Sequence, residues 1–311
     1  MRALRLASEL VAIVRELERS GVDALPVKGP SLAVLVYGDL SLRAYEDLDL
    51  LVHPQDFDRA TSALTALGYR FRDALSELQR KTLTTTEYHV GFEHPDGGTV
   101  VELHWLLNHK TLAHRDLEQW WWLRRQSMYL GGATMQTLAP EQLLLYLCMH
   151  GGKHSWARLS WLCDLRQTLK CFPNADWVRI WRAAEENGAL RMVSSGLTLV
   201  TALLEGATLT SIPFSRRSPD PAATKLAQTV EDRLLHSPDQ VLGVDFFSQM
   251  HFRERFRDRV RYAAHILTAP HPADVSLLAL PPLMRGAYYI FRPARLAWKH
   301  ILHRTHNAGA T

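Results

Sequence analysis

Asp47 and Asp49, one residue apart in the run Glu46-Asp47-Leu48-Asp49-Leu50-Leu51-Val52, are the side chains whose type and spacing most directly offer chemistry. On a β-strand successive side chains alternate between faces, so both carboxylates point one way and the leucines the other. Two like charges that close repel unless a cation lies between them. Magnesium, a hard ion that favours oxygen ligands, satisfies both. An amphipathic strand with a solvated acidic face is the plainer reading, and the pair alone does not displace it.

The neighbours of the pair add weight. Lys28 supplies a positive charge, Gly29 lets a backbone approach an anion closely, and Pro30-Ser31 opens a helix whose free N–H groups favour negative charge. Arg43 lies in the loop just before the aspartates. Glu102, in Val100-Val101-Glu102-Leu103-His104-Trp105, is a third acid on a strand that otherwise reads as buried, with His104 on the same face. A buried carboxylate needs a metal, a donor or a cation. His150-Gly151-Gly152-Lys153-His154 places two histidines four apart, but Gly151 stands where a zinc protease of the HExxH type has its glutamate, so zinc is a weak reading. Its glycines suggest a helix start or close backbone packing, leaving Lys153 and His154 free to reach an anion. Trp120-Trp121-Trp122, Trp156 and Trp161 could stack a base, but at helical spacing they read first as core or domain interface.

The elements that must carry these residues are legible in outline. An apolar stripe through Ala7, Leu10, Val11, Val14 and Leu17 predicts a helix over 3–19, ended by Gly21. A strand over 24–27, a helix from Pro30 to about Tyr37, a loop over 38–46, a strand over 48–52 and a helix between Pro54 and Gly68 follow. Runs 87–94 and 99–107 flank Pro95-Asp96-Gly97-Gly98 and read as a hairpin. From Gly131-Gly132 onward the chain is rich in Leu, Trp and Ala and poor in strand signals. Helices are expected at 143–147, around 161–165, at 177–186 and at 192–204, with proline-containing irregular stretches at 213–221 and 270–282. The expected organisation is α+β: a small mixed-sheet domain over 1–130, then a mainly helical domain over 131–311. No internal repeat of fixed period is present.

This ordered set resembles the nucleotidyltransferase superfamily that includes polymerase β. Within it, the sequence is similar to a poorly characterised bacterial family with a Lys-Gly turn, an Arg before Asp-Leu-Asp-Leu-Leu, a Glu-Leu-His-Trp strand and His-Gly-Gly-Lys-His in the helical half. Here those are Lys28-Gly29, Arg43 with Asp47 to Leu51, Glu102 to Trp105, and His150 to His154. The match departs from the usual Gly-Ser or Gly-Gly turn at Gly29-Pro30. The resemblance implies magnesium-dependent transfer of a nucleoside monophosphate from a nucleoside triphosphate to an acceptor, with pyrophosphate leaving. Asp47 and Asp49 would bind two ions, manganese being the alternative metal, and Glu102 would complete the nucleophile-side ion. Gly29 and Ser31 would hold the β- and γ-phosphates, with Lys28, Arg43, Lys153 and His154 as further nucleotide contacts. Phosphoryl transfer to a small molecule or peptide on the same fold, and a non-catalytic nucleotide-binding module, are the rival expectations. The acceptor (small molecule, peptide, protein or RNA) is not legible.

Composition sets the bounds on these readings. The chain has 311 residues, 47% apolar and 22% charged, enough for a sizeable core and two domains. A net charge of +4 and a pI near 9.0 suit an anionic ligand, though 36 basic residues are scattered among 32 acids. Cys148, Cys163 and Cys171 suggest neither a disulfide framework nor a zinc knuckle, so a reducing cytoplasm is expected. Glu9, Arg15 and Glu16 interrupt any signal-peptide core, and no apolar run is long enough to span a bilayer. The basic stretch 285–304 reads as a terminal helix packed on the helical half with its basic side solvated. Contact with an anionic membrane surface is its alternative.

Overall fold

The computed structural model describes residues 1–73, 76, 84, 87–96, 98–108, 115–205, 220–236, 246–277, 280, 282–296 and 298. The chain is mixed α+β. Helix α1 (Arg2–Arg19) buries Leu6, Ala7, Leu10, Val11, Ile13, Val14 and Leu17, the face expected from its spacing plus two further residues. Full burial of each large aliphatic chain contributes about 1.5 to 3 kcal/mol, so this stripe fixes the helix against the sheet.

The sheet has five strands in the order β1-β2-β5-β4-β3. These are β1 (Ala24–Pro26), β2 (Asp47–Val52), β3 (Arg70–Phe71), β4 (His89–Glu93) and β5 (Val100–His104). β1 pairs antiparallel with β2, β2 parallel with β5, and β4 antiparallel with both β5 and β3. The expected hairpin is β4–β5, and Gly97 of its turn lies outside the described residues. Between β2 and β3 runs α3 (Phe57–Ala66), entered through a 3-10 turn at Pro54–Asp56 and left at Gly68, whose φ of +91° only glycine adopts readily. Helix α2 (Pro30–Leu32) continues as a π-helical turn, Ala33–Tyr37, where one α-helix was expected.

Strand parity divides the sheet. Leu48, Leu50 and Val52 of β2, with Val101 and Leu103 of β5, share a core with α1 and α3. The opposite face, bearing Asp47, Asp49, Glu102 and His104, is turned toward the second half of the chain.

That half begins differently from the expectation. Gly131 and Gly132, at φ +55° and +80°, form the two-residue turn of a hairpin between β6 (Arg125–Leu130) and β7 (Ala133–Leu138). The alternation there was missed because apolar residues on the two strands are few. Thr137 Oγ1 donates to the Pro26 carbonyl at 2.6 Å, tying β7 to the edge strand β1. The helices follow: α4 (Arg115–Leu123) precedes the hairpin, and α5 (Pro140–Lys153), α6 (Leu159–Cys171), α7 (Trp177–Glu186), α8 (Leu190–Val200), α9 (Pro221–His236), α10 (Phe246–Phe252), α11 (Phe256–Thr268) and α12 (Pro272–Leu277) come after it. One buried cluster joins Leu25, Val27 and Leu51 to Leu144, Trp156, Leu165 and Leu197, so the two halves share a core. Among the described residues no helix is long and apolar enough to cross a membrane.

The basic C-terminal stretch differs from its expectation as well. Arg292 is buried and donates to Asp274 at 2.7 Å and to the Ile266 carbonyl at 2.8 Å, and Arg295 also pairs with Asp274. A fully buried carboxylate has turned two of the basic side chains inward. Lys299 and Arg304 lie outside the described residues, as do residues 213–219 of the first irregular stretch.

Candidate active site

The register of β2 against β5 sets Asp49 beside Glu102, and that of β4 against β5 sets His89 beside His104. Period-two alternation then places Asp47, Asp49, Glu102 and His104 on one face. Asp49 is 1% exposed, so water does not neutralise it and its partners must. Its Oδ1 accepts from Lys28 Nζ at 3.1 Å and lies 3.2 Å from His104 Nε2, which is also 3.3 Å from Glu102 Oε2. Its Oδ2 is buried and has no hydrogen-bond partner. Asp47 is half-buried at the entrance of the same strand.

Electrostatics follow from this crowding. Burial pushes the Asp49 carboxyl up, but Lys28 and His104 outweigh it and hold Asp49 below the usual carboxylate range. Glu102 is held low in the same way, chiefly by its hydrogen bond with His104. At Asp47 burial, followed by the charge of Asp49, outweighs Lys28 and raises the carboxyl. Burial would lower His104, yet its hydrogen bonds to Asp49 and Glu102 raise it. Burial, then the His104 charge, pulls His89 down to about 3. Lys28 is raised despite its burial, mainly by Asp49. The carboxylates are therefore countered by an ammonium and an imidazole.

Lys28 sits in the turn leading out of β1. Gly29 there has φ +61°, and a Cβ would lie 3.1 Å from the Asp47 carbonyl oxygen, so both conformation and close approach demand glycine. Ser31 is buried and its hydroxyl donates to the Lys28 carbonyl at 2.6 Å, which closes the turn. Arg43 is clamped by Asp164 of α6 through Nε at 2.9 Å and Nη2 at 3.0 Å, and Tyr37 donates to the same carboxylate at 2.9 Å. Its Nη1 stays buried without a partner.

The His150-Gly151-Gly152-Lys153-His154 segment ends a helix rather than starting one: His150 to Lys153 form the last turn of α5 and His154 caps it. The glycines serve packing. A Cβ on Gly151 would lie 2.3 Å from the fully buried Trp156 ring, and one on Gly152 would lie 2.6 Å from Met192. The sharp turn that follows holds Ser155 and Trp156 at φ +52° and +50°. Lys153 faces the carboxylate side, bonded to the Tyr88 hydroxyl with its Nζ 4.1 Å from the ring centroid. Burial, then the charge of Lys28, lowers Lys153 to about 8. The rings of His150 and His154 are 4.8 Å apart and both lie against Trp161. Burial drives His150 far below its usual range, and burial with Lys153 takes His154 to about 3. Among the described residues the one group of three candidate metal ligands is Asp49, Glu102 and His104, whose ligand atoms lie within 4.8 Å of one another. Trp121 and Trp156 are core, and Trp122 stacks on His53 at 3.7 Å.

A family model described as an uncharacterised nucleotidyltransferase matches residues 1–205. The chain belongs to this family. The enzyme is a nucleotidyltransferase, and the matched segment contains both strands of the acidic face and the end of α5. No curated protein matches the sequence. Among solved structures it is similar to the solution structure of the antibiotic-resistance factor ANT(2'')-Ia, with 9% identity, a TM-score of 0.42, and coverage of 58% of this chain and 90% of that one. An antigenic nucleotidyltransferase-like protein from Paracoccidioides brasiliensis is similar at 19% identity and a TM-score of 0.38, covering 62% of this chain and 92% of that one.

The donor set of this nucleotidyltransferase fits a divalent cation. Oxygen donors from two strands converge, and the buried Asp49 Oδ2 has no other partner. His104 is the residue sequence reasoning left out of the site. Its parity with Glu102 was visible, but its contact with Asp49, 55 residues away, depends on the β2–β5 pairing.

Proposed function

We propose that the enzyme transfers a nucleoside monophosphate from a nucleoside triphosphate to an acceptor, using magnesium held by Asp47, Asp49 and Glu102. The observation that carries this reading is the side-by-side placement of Asp49 and Glu102, with Asp49 Oδ2 buried and without a hydrogen-bond partner. When bound, divalent cations polarise the α-phosphate and neutralise charge on the phosphate oxygens. The chain's own residues do the rest. The Lys28-Gly29 turn receives the β- and γ-phosphates through charge and backbone N–H groups, Ser31 contributing by closing that turn. Arg43 fixes the loop ahead of Asp47 through Asp164 and has one free Nη1 for an anion. Lys153, with His154 behind it, brings a cation from the helical half.

Glu102, 30% exposed where Asp49 is 1%, takes the acceptor's hydroxyl proton. The acceptor oxygen bonds to the α-phosphorus, the bond from that phosphorus to the bridging oxygen breaks, and pyrophosphate leaves with both electrons. We place the division of labour at residues 1–130, which carry the acids, and 131–311, which close the site, in a cytoplasmic protein.

Incubating the protein and magnesium with NTPs labelled at the α- or the γ-phosphate, against fractions of small-molecule and macromolecular acceptors, tests this reading. Product labelled from the α position with pyrophosphate release is expected. Label from the γ position would make the enzyme a kinase. Tight NTP binding with neither product would make it a binding module.

A further inference from the structure

A cavity of about 200 Å³ opens where the segment before β4 meets the end of α5, α10 and α11. Lys153, His154, Arg253, Arg292, Tyr88 and Glu87 are among its lining. Two of these cations have partners in the fold: Arg292 is neutralised by Asp274, and Lys153 bonds to Tyr88. Arg253 is different. It is 1% exposed, and the charge of Asp258 reaches it without a hydrogen bond between the two among the described residues, too weakly to offset the burial that lowers the guanidinium. Its Nη1 donates to the Gln249 carbonyl at 2.6 Å and to Gln249 Oε1 at 3.1 Å, and its guanidinium lies 3.6 Å from the Tyr262 ring centroid. Its Nε is buried and has no partner at all. Gln249 in turn donates to the Gly152 carbonyl and to Ser155 Oγ, both at 3.2 Å, so the guanidinium is fixed to the turn that carries Lys153. A buried cation with an idle donor is costly, and an oxyanion entering the cavity supplies both the charge and the hydrogen bond.

The order of residues across the sheet says which substrate that oxyanion belongs to. Lys28 leaves β1, Asp49 is on β2, Glu102 and His104 are on β5, and Tyr88 precedes β4. The Tyr88 ring is 6.0 Å from that of His104 and carries Lys153. The cavity thus lies on the β4 side of the acids, opposite the Lys28-Gly29 turn. In-line transfer puts the acceptor and the departing pyrophosphate on opposite sides of the phosphorus. With the pyrophosphate on the turn, the acceptor comes from the cavity side. Its volume is below the roughly 300 to 1,000 Å³ of a pocket for a whole small ligand, which suits one charged group with a short stem.

We infer that this cavity is an acceptor subsite, and that the acceptor carries an oxyanion, a phosphate or carboxylate, that Arg253 binds. The inference rests on the nucleotidyl transfer reading above. Arg253 and Arg292 lie beyond the residues the family match covers, so the C-terminal third of the chain supplies the arginines of the subsite, while Glu87, Tyr88, Lys153 and His154 come from the matched part.

Calorimetry on the full chain with inorganic phosphate and with acetate, in the absence of nucleotide and magnesium, tests the inference. Wild type is expected to bind phosphate, acetate or both. The affinity should fall by about tenfold or more in Arg253→Gln, since a charge-assisted bond is lost. Ala269→Leu narrows the cavity without altering charge and should have a similar effect. Should Arg253→Gln fail to fold, Ala269→Leu and wild-type crystals soaked in tungstate, with the anion expected beside Arg253, still decide. No binding of either anion, equal binding in both variants, or an empty cavity after soaking would overturn the inference. So would loss of anion binding under saturating ATP and magnesium, which would give the cavity to the nucleotide. Asp49→Asn separates the two readings: it should abolish magnesium-dependent ATP binding and leave anion binding in the cavity intact.

Discussion

Lys28→Met removes one half of a deeply buried ion pair in the site. Lys28 Nζ and Asp49 Oδ1 are 3.1 Å apart, with side-chain exposures of 12% and 1%. Removing one partner of such a pair costs about 3 to 5 kcal/mol, because the other charge stays buried. His104 remains 3.2 Å from the same oxygen, which lowers the expected loss to about 2 to 3 kcal/mol. In a chain of this size that corresponds to a fall in Tm of roughly 3 to 5 °C, read by scanning calorimetry. A metal bound to the folded state alone stabilises it in proportion to the logarithm of its concentration over Kd. Without the competing ammonium, magnesium should bind more tightly, so it should raise the Tm of Lys28→Met more than that of wild type. An unchanged Tm in metal-free buffer would refute the reasoning about the pair. Equal magnesium shifts in the two proteins would refute the idea that ammonium and metal answer the same charge.

Other consequences are as specific. Glu102→Gln should keep nucleotide affinity and slow transfer by about 10²- to 10⁴-fold, the usual worth of a general base; full activity would remove Glu102 from the chemistry. Lys153, lowered to about 8 by burial and Lys28 against the pull of Glu102, Asp49 and Glu87, is charged below that pH and neutral above it. NTP affinity should therefore fall as pH rises through about 8, and calorimetry across that range should show no such step in Lys153→Gln. Gly151→Ala brings a methyl to 2.3 Å from the buried Trp156 ring. Overpacking of about 1 to 3 kcal/mol should exceed the gain in helix propensity of up to about 1 kcal/mol, a net loss that chemical denaturation would measure.

The parts of the fold carried by local periodicity were legible: the buried stripe of α1, the alternation of β2 and the β4–β5 hairpin. The acids were legible for the same reason, since Asp47, Asp49 and Glu102 stand out on otherwise apolar strands. Features set by distant pairing were not. β3 has two residues and exists only as an edge beside β4. Arg43 meets Asp164, 121 residues away, and nothing local to either announces the other. The two glycines after His150 are compatible in the sequence with a helix start or with close backbone packing; the Trp156 ring and Met192 packed against the last turn of α5 decide for packing. Arg253 had no motif around it, and its isolation emerges only once α10, α11 and the turn after α5 are packed together.

The central claim is that Asp47 and Asp49 hold a metal on which nucleotide binding depends. Calorimetric titration of ATP, GTP, CTP and UTP into wild type, Asp47→Asn and Asp49→Asn, with and without magnesium, tests it most directly. Magnesium-dependent binding of at least one nucleotide to wild type, and its loss in both variants, is expected. Magnesium-dependent binding that survives both substitutions unaltered would contradict it.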